Sequence, residues 1–206
     1  MSADDIPTRE VAKRAFAAEF NDAAFSFKES DDDRAPVYLL FPTGAKANRV
    51  FLIGTLTETE DVGEDNEYWR GRIIDPTGTF FVYAGQYQPE AAQKLRELNP
   101  PAYVAVSGKP RTFETDDGTT NVSVRPESIT VVDAATRDRW VVETAERTLD
   151  RITAFEDEGN EYARMASDKY EMSIDQYIET TVSAVESLDE SVDELNTAST
   201  GETDTA

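Results

Sequence analysis

The residues of this chain best suited to chemistry are flat rings and cations set at strand spacing. Over 79–84, alternation puts Phe81 and Tyr83 on one face and Phe80 and Val82 on the other. Arg70 and Arg72 project together from one face of the strand-like run before it, and Lys109 and Arg111 lead towards Phe113 further on. Arg125 is a weaker candidate cation, and Trp69 and Tyr87 are weaker candidate rings. Rings stack on planar groups and cations hold phosphates, the pairing that an exposed single strand of nucleic acid needs. Each residue also has an ordinary reading. Rings on strands pack cores and edges, and alternating arginines form a strand's solvated face.

Other chemistries have little to work with. The chain has no cysteine and no histidine. That leaves no disulfide, zinc finger, thiol nucleophile or imidazole base. Its 42 acidic residues include no spaced pair or metal cluster that stands out, and they lie where solvated loops are expected. We therefore expect no catalytic residue, no metal ligand, no cofactor and no enzymatic activity. No apolar run is long enough to span a membrane, and the N-terminus lacks the apolar core of a signal peptide, which points to the cytoplasm.

The elements that must position these residues are mainly β. Five strands are expected over 49–57, 68–75, 79–84, 102–109 and 122–132. A helix over 89–98 falls between the third and fourth. Pro89 suits a first helical turn and Asn99-Pro100-Pro101 stops the helix. Gly54, in mid-strand, predicts a bulge or tight bend, and Pro76-Thr77-Gly78 a tight turn. Five strands with a helix between the third and fourth is the layout of the OB-fold, a small barrel that often binds single strands. The expected divisions are an N-terminal extension over 1–46, the barrel over 47–133, a helical region over 134–188 and a disordered acidic tail over 189–206.

Residue-level motifs sharpen this. Ile74-Asp-Pro-Thr-Gly-Thr-Phe-Phe-Val82, then Val104-Ala-Val-Ser-Gly-Lys-Pro-Arg-Thr-Phe113, then Val124-Arg-Pro-Glu-Ser-Ile129 resemble the middle subunit of replication protein A. The whole chain is most similar to the replication protein A-associated proteins of halophilic archaea. The resemblance implies a subunit of a single-stranded DNA-binding complex in replication and repair, with a large subunit as partner. Phe113 matches the family's second stacking position. Tyr83 falls near the first, although Gly85 is an alternative alignment. In that family the helix after the barrel joins the subunits. By resemblance, Trp140, Val141, Ala145, Leu149, Ile152 and Phe155 would form the assembly helix. Read from the residues alone, the first of these helices could equally fold back over the barrel's open end or pair with the others, and the last is expected to pack within the chain or trail as a tail.

Flanking the barrel, a helix is expected over 9–21, capped by Thr8, with Val11, Ala12, Ala15, Phe16 and Phe20 as its stripe. Residues 1–8 read as frayed, and 36–41 as a short strand. Asp133 caps the helix that carries Trp140. A second helical segment covers 162–170, and Ser173 caps a third with Ile174, Tyr177, Ile178, Thr181, Val182, Val185 and Leu188 as its stripe.

Charge qualifies the expected function. The net charge is −22, with six bases against nine acids in 1–46, eight against fourteen in 47–133, six against twelve in 134–185 and none against seven in 186–206. An acidic shell in every segment, with lysine only six of twenty bases, suits a protein kept soluble in molar salt. Residues 58–67 hold six acids and no base, and Glu114, Asp116 and Asp117 add three in the hairpin. Such loops repel phosphates in dilute salt, while at molar salt the screening length falls to about 3 Å. Stacking at about 1–3 kcal/mol per base would then carry most of the affinity. The expectation is a weak or auxiliary DNA contact within a complex. The alternative is an assembly adapter whose barrel touches no DNA.

Overall fold

The computed structural model describes residues 10–171 and 173–200. The frayed start, the Thr8 cap and the last six residues of the expected tail lie outside them. Strands β4 (Val50–Asp61), β5 (Trp69–Asp75), β6 (Gly78–Ala84), β7 (Ala102–Glu114) and β8 (Thr120–Val131) close into a barrel in the order β4-β5-β6-β8-β7. Helix α2 (Pro89–Glu97) lies between β6 and β7 and packs Ala91, Ala92 and Leu95 against the barrel. This is an OB-type barrel. Its interior takes every second residue of each strand, with Leu56, Ile73, Phe80, Val82, Val104, Val106 and Val124 fully buried. Closure comes from one parallel contact, Val82 to Val124.

Gly54 marks a close approach and not the bulge itself. A Cβ there would stand 2.5 Å from the Ile74 carbonyl oxygen, while the register shift falls between Leu56 and Glu58. β7 and β8 run further into the hairpin than expected, because residues 109–114 alternate and pair with 120–125. Arg111 and Phe113 are therefore strand residues held in register.

The Asp75-Pro-Thr-Gly78 motif is a structural device. Asp75 is buried and accepts hydrogen bonds from the Thr77 N–H (2.7 Å), the Thr77 hydroxyl (2.8 Å), the Gly78 N–H (2.9 Å) and the Ala17 N–H (2.8 Å). Burial pushes its carboxyl up from the ordinary value against the pull of those donors. Asp75 thus closes the β5–β6 turn and caps α1 (Ala17–Asp22) from a distant strand.

The N-terminal helix is shorter than expected. Lys13 donates its N–H to the Arg49 carbonyl (2.8 Å) and its carbonyl accepts the Phe51 N–H (2.9 Å), so this stretch pairs with β4. Val11 is 86% exposed and drops out of the stripe, whereas Ala15, Phe16 and Phe20 are buried. The gain is tertiary: Phe20 meets Phe80 at 5.4 Å and Phe16 meets Trp140 edge-on at 5.7 Å. A three-stranded sheet, β1 (Phe25–Lys28), β2 (Val37–Phe41) and β3 (Ala45–Ala47), follows. β3 is alanine and lysine, with no strand signal of its own, and pairs because β2 presents its backbone.

Asp133 caps α3 (Ala134–Thr153) by accepting the Thr136 N–H at 2.8 Å, and Asn160 caps α4 (Glu161–Lys169) through the Ala163 N–H at 3.1 Å. α5 (Asp175–Thr200) begins beside Ser173, whose hydroxyl accepts the Asp175 N–H at 3.3 Å. Two expectations change here. Trp140, Val141 and Ala145 are buried in the chain's own core, which corrects the reading of α3 as an outward assembly face at these three positions. Leu149 is exposed, while Ile152 and Phe155 are half-buried. The other change is that the expected disordered tail is helical to Thr200, no glycine or proline interrupting 175–200. No helix among the described residues is long and apolar enough to cross a membrane.

One tyrosine fastens the helices to the small sheet. The Tyr170 hydroxyl donates to the Leu40 carbonyl (2.6 Å) and accepts the Phe25 N–H (3.1 Å). Tyr170→Phe leaves both backbone groups without that partner and should cost about 1–3 kcal/mol in denaturant unfolding. Burial raises the Tyr170 pKa from 10.0 to about 12. A raised folded pKa keeps this contribution whole below about pH 10 and removes it as pH climbs to about 12. The phenylalanine variant should lack that share of the alkaline loss.

Candidate nucleic-acid interface

The β5–β6 pair sets rings against cations by register. Arg72 stands opposite Phe81 and Arg70 opposite Tyr83, and on the other side β4 puts Glu58 opposite Arg72 and Glu60 opposite Arg70. Arg70 is taken by this acidic neighbour. Its guanidinium bonds Glu60 at 2.6 Å and Glu58 at 3.3 Å, and lies over the Phe81 ring at 5.9 Å. Arg72 is exposed and has no ionic partner among the described residues.

The β7–β8 pair is different. Lys109 faces Arg125, Arg111 faces Ser123 and Phe113 faces Asn121, so one face of the hairpin carries three cations and a ring. None of Lys109, Arg111 and Arg125 has an ion pair among the described residues. For a chain of net charge −22, three unpaired cations on one face are an unusual concentration. Phe113 is 43% exposed.

These two faces meet in a groove. A cleft of about 500 Å³ is lined by the rings of Tyr68, Tyr83, Tyr87 and Phe113 together with Arg111 and Arg125. It continues past Tyr87 and Arg125 into a cleft of about 380 Å³ that contains Lys109, with Glu90 and Glu127 on its wall. In the other direction it continues past Tyr83 and Phe113 into a third cleft, of about 400 Å³. Tyr83, Phe113, Lys109 and Arg111 are brought together. Arg70 and Arg72 share the β5–β6 face with Tyr83 and Phe81 but do not line the clefts.

Sequence reasoning missed Tyr68. Its ring stacks on Tyr83 at 5.7 Å and 21°. Asp61 holds it there by accepting the N–H groups of Gly63 and Tyr68, both at 3.0 Å, and those donors keep the Asp61 carboxyl below the usual range. A Cβ on Gly85 would stand 2.8 Å from the Tyr68 ring, so Gly85 makes the room the stack requires. The available signal was an aromatic directly before a strand and a glycine two residues after Tyr83. Tyr87 and Arg125, both weaker candidates, line the groove, whereas Trp69 packs against the core.

The loop acids are partly structural. Asp117 accepts the Thr115 hydroxyl (2.6 Å) and the Thr119 N–H (3.0 Å), which closes the hairpin and lowers its carboxyl. Glu67 pairs with Arg96 of α2 at 3.1 Å. Glu67 is offset by the Arg96 charge, whereas Asp117 keeps its own, stabilised by its donors. The groove can stack bases on several rings and pair phosphates with three cations.

No protein-family model and no curated protein matches the chain. Among solved structures it is similar to an OBody bound to hen egg-white lysozyme, at 18% identity over 41% of this chain and 80% of that one, with a TM-score of 0.35. It is similar to an asparaginyl-tRNA synthetase from Pyrococcus horikoshii at 24% identity over 42% and 20% of the two chains, TM-score 0.35. The second single-stranded DNA-binding protein of Mycobacterium smegmatis matches at 18% identity over 43% and 88%, TM-score 0.36. Likenesses this distant carry no functional weight.

Proposed function

We propose that this chain binds single-stranded DNA along the barrel groove, as a non-enzymatic subunit of a replication protein A-like complex serving replication and repair in the cytoplasm of a high-salt cell. One observation carries the reading. In a chain of net charge −22, Lys109, Arg111 and Arg125, without an ion pair among the described residues, stand on one face beside the rings of Tyr68, Tyr83, Tyr87 and Phe113. Stacking platforms flanked by cations are what a sequence-tolerant strand site uses. The large subunit is the partner, and the apolar residues left outside on α3 and α5, Val142, Leu149, Ile178, Val182 and Val185, are the surface available to it.

The clamping of Arg70 by Glu58 and Glu60 favours the adapter alternative, in which the barrel meets protein only. Photocrosslinking separates the two. An iodouracil-substituted single strand, irradiated with the chain alone and with its large partner, should leave adducts on Tyr68, Tyr83 or Phe113. Recovery of the partner with no adduct on this chain in either sample would establish the adapter instead.

A further inference from the structure

The third cleft differs in chemistry from the other two. Its lining is Asn21, Thr79 and Asn121 with Phe81, Tyr83, Phe113 and Val122, so it has polar groups and rings but holds no charged side chain. The neighbouring clefts contain Arg111, Arg125 and Lys109. Phosphates therefore belong in those clefts and an uncharged group in this one. Its volume, about 400 Å³, lies at the small end of the range for small-molecule sites and suits one nucleoside.

The amides are set to read that group. Asn21 comes from α1, outside the barrel, and its side-chain N–H donates to the Thr79 carbonyl at 2.9 Å. A carbonyl demands a donor, so this bond fixes the amide's orientation and leaves Oδ1 as an acceptor. Asn121 stands opposite Phe113 on the hairpin, is exposed, and makes no side-chain hydrogen bond among the described residues. An exocyclic amino group offers two N–H donors, one for each amide oxygen. The Asn121 N–H donors can also pair with the adjacent ring nitrogen, as an asparagine does with adenine.

We infer that this cleft is a base-reading pocket, selective for a base that sets an amino group beside an acceptor ring nitrogen on its pairing edge, adenine or cytosine, over thymine. The inference rests on the groove being a strand site and adds a preference that stacking alone does not supply. The full chain is titrated with fluorescent oligo-dA, oligo-dC and oligo-dT of about 16 residues. Oligo-dA or oligo-dC should bind about tenfold more tightly than oligo-dT. Asn121→Ala combined with Asn21→Ala should flatten the three to within about twofold and leave oligo-dT affinity as in the parent, which also reports that the variant is folded. Equal affinities in the parent, or a preference that survives in the variant, would overturn the pocket while the strand site stands. Absence of binding to all three would overturn the strand site and the pocket together.

Discussion

Arg151→Ala is expected to destabilise the chain by about 3–5 kcal/mol. Arg151 is the centre of a buried polar junction. It donates to Thr43 (3.0 Å), to the Arg14 carbonyl (3.1 Å) and to Thr148 (3.0 Å), and it pairs with Glu19. Glu19 is 1% exposed and also accepts the Thr43 hydroxyl. Without the guanidinium, the Glu19 carboxylate keeps one hydroxyl donor in a site closed to water. The junction ties α1, the turn between β2 and β3, and α3 to one another, so a local loss loosens three elements. In thermal melts the shift should be about 6–20 °C for a chain of this size. Adding Glu19→Leu to Arg151→Met should recover much of it, because a buried pair exchanged for apolar groups leaves no lone charge. A single-variant loss below about 1 kcal/mol would show that the junction is solvated and its pairing incidental.

Tyr83→Ala and Phe113→Ala together should lower affinity for a single strand by about 2–6 kcal/mol, or roughly thirtyfold to twenty-thousandfold. The two are unequal. Tyr83 also supports Tyr68 through their stack, so its removal disorders a second platform, while Phe113 stands largely alone at the hairpin edge. Tyr83→Ala should therefore cost more than Phe113→Ala. Phe113 is 43% exposed, so its replacement should leave the melting temperature nearly unchanged.

The barrel was legible because its strands alternate cleanly and its breaks carry glycine and proline. Asp75-Pro-Thr-Gly78 was visible as a turn, but its hold on Ala17 was not: 58 residues separate the two ends of that bond. The same limit explains the N-terminal helix. Periodicity identified the buried rings Phe16 and Phe20, and could not show that Lys13 would bond β4. On α3, an apolar face is the same pattern whether a partner or the chain itself covers it, and Phe16 decided the matter for Trp140. At the groove, the strand cations were readable from alternation, while the capture of Arg70 depended on cross-strand register that a bulge in β4 resets. Tyr68 lay at the edge of an acidic loop, and only the Asp61 hydrogen bonds reveal that the loop is folded to present it.

Fluorescence anisotropy of a labelled single strand, titrated across salt concentration, tests the strand site most directly. Each phosphate held by a cation contributes about −0.7 to the slope of log affinity against log salt for a single strand. Lys109, Arg111 and Arg125 together predict a slope near −2 for the parent, and Lys109→Ala/Arg111→Ala/Arg125→Ala should bring it near zero with weak stacking-based binding remaining. Unchanged slope and affinity in the triple variant, or no binding by the parent at any salt, would contradict the account.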